Sequence, residues 1–254
     1  MYFGHRRTIE WTRAVTQIVA EHPGMVEFFV IPTFPSIPAV IEIVSPVGIA
    51  VGAQDLHWAD SGRFTGEVSG AELAELGCTM VEVGHAERRS LFGETDVMVA
   101  AKTDGALRHG LAPIERVGEP EPGSLDDAAD FCTRQLGSAL AAARAAGAGG
   151  RLIVAYEPVW AIGAPQPAPP DHVGAVCRAL RTTWPGTRCS LPPRSSTAAA
   201  PDRACSAGSP TTSTACSSAG SRTIPTRCGR SSMRSADPKQ PLRSSKCGAD
   251  SCWS

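Results

Sequence analysis

The sequence lacks several features that would assign a protein to a class at once. Its longest apolar stretch, around residues 26–30, is far too short to cross a bilayer. No basic and then apolar start resembles a signal peptide, and no predicted strand is followed by the GxGxxG pattern of a dinucleotide-binding fold. These absences argue against membrane, secreted and fibrous classes, so we expect a cytoplasmic protein with no membrane partner.

The overall composition is ordinary, but it hides a change along the chain. The 254 residues suggest one large domain or two small ones, and 42% hydrophobic content suffices for a core. The net charge is only −1. Residues 1–187 hold 14 Lys and Arg against 22 Asp and Glu, a net of −8, whereas residues 188–254 hold 10 against 3, a net of +7. The two parts therefore follow different compositional rules.

The last 67 residues have too few apolar side chains to form a core. They contain 16 Ser and no Glu, Val, Phe or Tyr, so burial cannot offset the entropy of ordering them. We expect residues 1–187 to form the domain and residues 188–254 to be a Ser-, Arg- and Cys-rich tail of low order. The tail's charge allows weak RNA binding, but one aromatic residue and no recognition motif favour a solvated tail without a nucleic-acid partner.

The nine cysteines follow the same division. Cys78, Cys132 and Cys177 are scattered through the acidic part, as expected for buried thiols in a reducing compartment. The other six lie in the tail, where no pair has the CxxC spacing of a zinc site. We therefore expect no metal site.

Apolar runs alternate with helical patterns in the first 187 residues. Helices are predicted over 8–20, 38–43, 71–76, 96–109, 125–146 and 171–184, and strands over 26–32, 47–52, 80–84, 111–118 and 152–156. This alternation indicates a parallel sheet. Polar, Gly-rich segments follow the strand ends, which favours a barrel with its active-site face there over an open doubly wound sheet.

Two segments at predicted strand ends could carry chemistry. His85 follows a strand and precedes Glu87 at a helix start, so it could present one proton donor in a fixed tautomer. The alternative is a capped helix with a solvated charge run. Glu157 follows a buried strand and precedes the apolar segment 158–163, which suits a lid that closes over a carboxylate and excludes water. The alternative there is a surface loop with one exposed Trp.

Together these segments carry a resemblance. In order along the chain, the matching motifs are Gly-Ala-Gln at 52–54, Phe-Thr-Gly-Glu at 64–67, Gly-His-Ala-Glu-Arg-Arg at 84–89, Leu-Phe-Gly-Glu-Thr at 91–95, Val-Gly-Glu at 117–119 and Tyr-Glu-Pro-Val-Trp-Ala-Ile-Gly at 156–163. Residues 1–187 resemble triosephosphate isomerase. The resemblance implies a (β/α)8 barrel that is incomplete in this chain, with the first strand and the last two βα units missing or scrambled.

The resemblance also implies an activity. The family interconverts D-glyceraldehyde 3-phosphate and dihydroxyacetone phosphate by proton transfer through an enediolate, in glycolysis and gluconeogenesis, without a cofactor. Glu157 would be the base, His85 the neutral electrophile and Glu87 a supporting acid, a division of roles that serves as a general example of pKa tuning. The substrate is a small phosphorylated sugar, held under the lid formed by Pro158, Val159, Trp160, Ala161, Ile162 and the substrate-binding Gly163. The loop Phe64, Thr65, Gly66 and Glu67 resembles one that inserts into a partner subunit, which implies a homodimer.

Three departures from the family pattern matter. The family opens with a strand carrying an Asn-x-Lys signature whose Lys binds phosphate, and this sequence begins just after that position. Arg116 stands where the family usually has a small Cys, and an Arg pointing into a barrel needs a charged partner or a large rearrangement. The Tyr-Gly-Gly-Ser and Gly-Gly loops that hold phosphate are missing from the tail.

A shifted reading frame would account for the tail. Joining the last base of each codon to the first two of the next permits Val-Ile-Tyr-Gly-Gly-Ser from residue 194 onward. The same shift permits Val-Asp-Gly-Leu-Phe-Leu-Gly-Arg-Phe from residue 212 onward. We therefore predict that residues beyond about 188 are out-of-frame translation.

Two further alternatives stay open at this point. Ala-Pro-Gln-Pro-Ala at 164–168 replaces the commoner lid exit and resembles a branch that isomerises four-carbon ketose phosphates such as erythrulose phosphate. The chain could also be an inactive relic of the family, and we predict little or no turnover for this exact polypeptide. Catalytic efficiency on both substrates would separate these alternatives.

Overall fold

The computed structural model describes residues 2–22, 24 and 27–185, together with the backbone of 188–190. The predicted tail beyond Ser190 and its shifted frame lie outside these residues. In the described part, no helix is both long and apolar enough to span a bilayer.

Helices and strands alternate along the chain. The helices are α1 His5–Ala20, α2 Ile37–Val44, α3 Gly70–Leu76, α4 Ala86–Phe92, α5 Asp96–Arg108, α6 Leu125–Ala139, α7 Ala141–Ala145 and α8 Pro170–Thr183. The strands are β1 Phe29–Val30, β2 Ala50–Ala53, β3 Met80–Val83, β4 Ala112–Val117, β5 Ile153–Tyr156 and β6 Arg188–Ser190. Short 3₁₀ turns cover Phe34–Ser36, Ser45–Val47 and Val159–Ala161.

All six strands form one parallel sheet in chain order, β1 to β6. Each strand pairs with the next along the chain, so successive right-handed crossovers place their helices on the same face. A doubly wound sheet would instead reverse its order part-way. The sheet is therefore a curled, incomplete barrel, as the sequence predicted.

The core has two layers, one on each side of the strands. Met80, Ile114 and Ile153 face the inside of the curled sheet together with Phe29 and Ile31. Larger clusters fill the space between the sheet and its helices. Because strands of a parallel sheet are covered on both faces, they appear in the sequence as near-continuous apolar runs.

The structure differs from the predicted elements in four places. The predicted helix 125–146 divides at Leu140, whose φ of −86° and ψ of −4° form a tighter turn between α6 and α7. The predicted strand 26–32 is reduced to two residues. Two elements were not assigned from the sequence: helix α4, seen there only as a helix start, and strand β6 beside β5.

Three of the cysteines behave as predicted. Cys78, Cys132 and Cys177 are free and buried. Burial raises the pKa of the Cys78 thiol to about 11. At neutral pH this thiol is therefore uncharged and a poor nucleophile.

Candidate active site

The carboxyl ends of β3, β4 and β5 bring the predicted site residues to one edge of the sheet. Val83 pairs with Glu115, and Val117 pairs with Tyr156, so the loops that follow these strands are neighbours. His85 follows β3, and Glu157 follows β5 directly. The side chain of Arg116, on the strand between them, reaches the Glu157 carboxylate.

His85 caps helix α4 with its ring. Its Nδ1 accepts the backbone N–H of Glu87 at 3.2 Å. A neutral imidazole that accepts at Nδ1 carries its proton on Nε2, so Nε2–H is the donor left for a ligand. The capped-helix alternative is thus correct in geometry, and the same cap fixes the tautomer that the functional interpretation requires.

The loop before His85 is held by a buried carboxylate. Gly84 adopts a left-handed φ of 73° and donates its N–H to Glu94 Oε1 at 3.2 Å. Arg89 Nε donates to the Gly84 carbonyl at 3.0 Å. The N–H and the carbonyl of Gly84 are therefore both hydrogen-bonded, and these bonds fix the backbone that carries the His85 ring.

Glu87 lies at the exposed start of α4. Its backbone N–H, rather than its carboxylate, contacts His85. The carboxylate acts on Arg116 through its charge. The supporting role of Glu87 in the reaction stays a prediction.

Glu157 sits at the mouth of the curled sheet. Its N–H donates to the Val117 carbonyl at 2.8 Å, which continues the β4–β5 pairing by one residue. Its side chain is 26% exposed, so it is accessible without being fully solvated. A Cβ on Gly118 would lie only 1.9 Å from the Glu157 carbonyl oxygen, so this close approach requires glycine.

Arg116 points into the curled sheet and finds the charged partner that the sequence analysis required. Its guanidinium hydrogen-bonds Glu82 on β3, and its Nη1 lies 3.5 Å from Glu157 Oε2. Burial alone would lower the pKa of Arg116. The charge and hydrogen bonding of Glu82, with the charges of Glu157 and Glu87, outweigh burial and raise it. Arg116 thus stays charged.

Glu119, which follows β4, anchors the segment after Glu157. Its carboxylate accepts from Trp160 Nε1 at 2.7 Å and from the Tyr156 hydroxyl at 3.0 Å, and His172 Nε2 lies 3.2 Å away. The Val159 N–H donates to the Glu119 carbonyl at 2.9 Å. Trp160 is therefore half-buried and bonded, which contradicts the alternative of a surface loop with an exposed Trp.

Two apolar residues of this segment are exposed, and the segment ends at a glycine. Val159 and Ile162 present apolar side chains to solvent. Gly163 has a left-handed φ of 71°. Exposed apolar side chains beside a carboxylate suit a lid whose contacts form only over a ligand.

A buried cluster of four charges supports the His85 loop, and two of its members escaped the sequence analysis. Lys102 Nζ lies 2.7 Å from both Asp55 and Glu94, and Arg88 Nε lies 2.8 Å from both. Burial raises the pKa of Asp55. Burial acts the same way on Glu94, but its bonds to Lys102 and Arg88 prevail and lower its pKa. Asp55 and Lys102 are 47 residues apart, so no local motif joins them.

The loop expected to contact a partner subunit protrudes from the sheet. Phe64, Thr65, Gly66 and Glu67 are exposed, and Gly66 adopts a φ of 94°. The Glu67 N–H closes the turn on the Phe64 carbonyl at 3.0 Å. The Phe64 ring packs on His57 with 4.0 Å between ring centroids.

No three His, Cys, Asp or Glu side chains converge on a metal-sized site within the described ranges. The strand order places the His85 imidazole at the same sheet edge as a carboxylate and a guanidinium that contact each other. They suit proton transfer beside a developing oxyanion.

Comparison with known proteins identifies the family. The family model for triosephosphate isomerase matches residues 1–188. The chain belongs to the triosephosphate isomerase family. An L-erythrulose-1-phosphate isomerase from Pectobacterium atrosepticum is 47% identical over 189 residues, which cover 73% of each chain. A triosephosphate isomerase from Mycobacteroides abscessus is 45% identical over 159 residues, 61% of this chain and 60% of that protein.

A solved structure supports the family fold. The crystal structure of triosephosphate isomerase from Bartonella henselae matches with a TM-score of 0.61 and 26% identity over 76% of this chain and 80% of that one. The chain thus spans between about three fifths and four fifths of the length of these family members.

Proposed function

We propose that this chain is an aldose–ketose isomerase acting on a short phosphorylated sugar. The observation that supports the proposal is the meeting of Glu157 and His85 at one sheet edge, in a member of the triosephosphate isomerase family. An isomerase of this kind moves a proton between adjacent carbons and must stabilise an enediolate.

The two side chains divide this chemistry between them. Glu157 is the base that takes the carbon-bound proton, since it is a partly buried carboxylate beside an apolar lid. His85 is the donor to the developing oxyanion, because its capped Nδ1 leaves Nε2–H available. Glu87 tunes the charge balance, and residues 158–163 exclude water.

Two substrates are candidates. Triose phosphates are the first, with a place in cytoplasmic glycolysis and gluconeogenesis. L-erythrulose 1-phosphate is the second, favoured by the 47% identity to the Pectobacterium atrosepticum enzyme and by the altered lid exit at 164–168. One additional CH–OH group changes the pocket length, so specificity follows from the ratio of kcat/KM values.

The deciding experiment measures turnover of both substrates by the purified 254-residue chain and by Glu157→Gln. We expect only slow isomerisation by this exact chain, and Glu157→Gln should lower the remaining rate by roughly a hundredfold or more, since general-base catalysis contributes about that much. A folded chain whose rate on both substrates is no higher than that of Glu157→Gln would contradict the activity and support the inactive relic.

The exposed loop 64–67 also supports a homodimer. A protruding turn with an aromatic ring at its base is suited to insertion into a second copy. The dimer would close the site from the side that the loop faces.

A further inference from the structure

Arg116 is the one basic side chain that the structure pairs with Glu157 among the residues it describes. The Nη1 to Oε2 distance is 3.5 Å, and the Arg116 side chain is only 9% exposed. A contact this deeply placed is screened little by salt. The guanidinium therefore acts on the candidate base at close range.

Glu82 fixes the guanidinium from the opposite side. Arg116 Nε donates to Glu82 Oε1 at 3.1 Å, and Nη2 bonds the same oxygen. Glu82 is itself 11% exposed, so the pair is rigid and largely dry. The guanidinium group is planar and rigid. Because Glu82 binds Nε and Nη2, the remaining nitrogen, Nη1, is directed towards Glu157.

We infer that Arg116 is a positioning residue for Glu157, holding its carboxylate in place for proton abstraction. This inference rests on the proposed function and deepens it. Arg116 from β4 contacts Glu157 directly, Glu82 from β3 holds Arg116, and Glu87 from α4 acts on Arg116 through its charge. A charged contact from a held guanidinium restricts where the Glu157 carboxylate can lie.

The test must remove the Arg116 charge without leaving the Glu82 carboxylate unpaired. Arg116→Met alone leaves Glu82 buried and unpaired, which threatens folding. The double variant Arg116→Met with Glu82→Gln is neutral and of similar volume, so it keeps the fold. We expect its kcat to fall roughly tenfold or more, with a smaller change in KM.

Glu82→Gln alone removes the acid but keeps the Arg116 guanidinium beside Glu157. Its kcat should therefore stay well above that of the double variant. A purely structural role of the Arg116–Glu82 pair would lower kcat equally in both variants, so equal kcat values would overturn the inference.

Two further variants sharpen the result. Arg116→Lys keeps the charge but loses the planar guanidinium that directs Nη1, so its kcat should lie between those of the unmodified chain and the double variant. Arg151→Met removes a surface cation that pairs with Glu27, and its kcat should be unchanged. An equal fall in kcat in Arg151→Met would assign the effect to net charge and contradict a role for Arg116.

A readout without turnover separates this inference from the proposed function. In chain labelled with carboxyl-¹³C glutamate, the Glu157 signal is assigned by its loss in Glu157→Gln. At constant pH this signal should narrow in the double variant, because a carboxylate released from the guanidinium moves more freely. Turnover no higher than that of Glu157→Gln would overturn the proposed function, whereas an unchanged Glu157 line would overturn the positioning role.

Discussion

Consecutive residues of β4 place opposite charges in opposite environments. Arg116 faces the inside of the curled sheet, whereas Glu115 faces helix α5 and is fully buried there. Thr103 Oγ1 lies 2.8 Å from the Val99 carbonyl and 2.6 Å from Glu115 Oε1. A hydroxyl has one proton, so when Thr103 donates it to Val99, the bond to Glu115 requires a protonated carboxyl.

The pKa of Glu115 makes this a prediction about stability. Burial raises it from 4.5 to about 8, and the Thr103 hydroxyl and the Arg89 charge offset this only in part. A carboxyl whose folded pKa is raised stabilises the fold fully below pH 4.5, and this stability is lost as pH rises towards 8. The loss is about 1.4 kcal/mol per pH unit. Glu115→Gln should therefore flatten the fall in urea-unfolding free energy between pH 6 and 8, and equal slopes would show an ionised Glu115.

Gly118 gives a second residue-scale prediction. An added Cβ would lie 1.9 Å from the Glu157 carbonyl oxygen, so Gly118→Ala must push the backbone of the candidate base away. A displacement of this size should lower kcat/KM roughly a hundredfold. Gly123→Ala is the matched control, because the nearest atom there is the Asp127 Cβ at 4.0 Å. Similar kcat/KM values for the two variants would refute the steric argument.

At the scale of elements, the ion cluster joins α4 and α5 to the end of β2. Lys102 is buried with a 3% exposed side chain and neutralises both Asp55 and Glu94. Lys102→Met leaves two carboxylates with only Arg88 between them, so we expect a loss of about 3–5 kcal/mol in the free energy of unfolding. Arg151→Met breaks a surface pair and should cost about 1 kcal/mol or less. Chemical denaturation measures the free energy of unfolding of both variants. Equal losses would mean that the buried Lys102 pairs stabilise the fold no more than a surface pair does.

The elements also show what the sequence could predict. Strands β2 to β5 and the longer helices follow from apolar runs and 3.6-residue stripes. The break at Leu140 does not, because the surrounding Ala-rich sequence suits one continuous helix. The pairing of β6 escaped as well, since residues 188–190 carry no apolar run. Both depend on packing between elements distant in the chain.

Across the whole molecule, the site residues that could be predicted are those that lie in contiguous sequence motifs. His85, Glu157 and the lid each follow a strand, so a parallel barrel brings them to one edge. The partners of Arg116 could not be predicted beyond the need for an acid, because Glu82 lies 34 residues away on another strand. The pairing of Asp55 with Lys102 could not be predicted for the same reason. Contiguous motifs thus identify the residues proposed to act, whereas the strand order determines which distant side chains contact and support them.

The exposed apolar residues around the site lead to a prediction about assembly. Leu91, Phe92 and Val97 are 74%, 68% and 79% exposed and flank the end of α4. The segment that follows β2 is joined to α4 through the Asp55–Arg88 ion pair. Several large apolar side chains exposed together indicate a covered surface in the working protein. We therefore expect the chain to sediment as a dimer.

Leu91→Glu tests this dimer directly. Burying a leucine contributes about 1.5–3 kcal/mol, and burying an unpaired carboxylate costs more, so the dissociation constant should rise at least a hundredfold. Sedimentation velocity at micromolar concentration should then show monomers with an unchanged circular dichroism spectrum. Ile18→Glu is the matched control, because Ile18 is 60% exposed on α1 at a distance in sequence from both segments. A dimer that survives Leu91→Glu but not Ile18→Glu would place the interface on α1 instead.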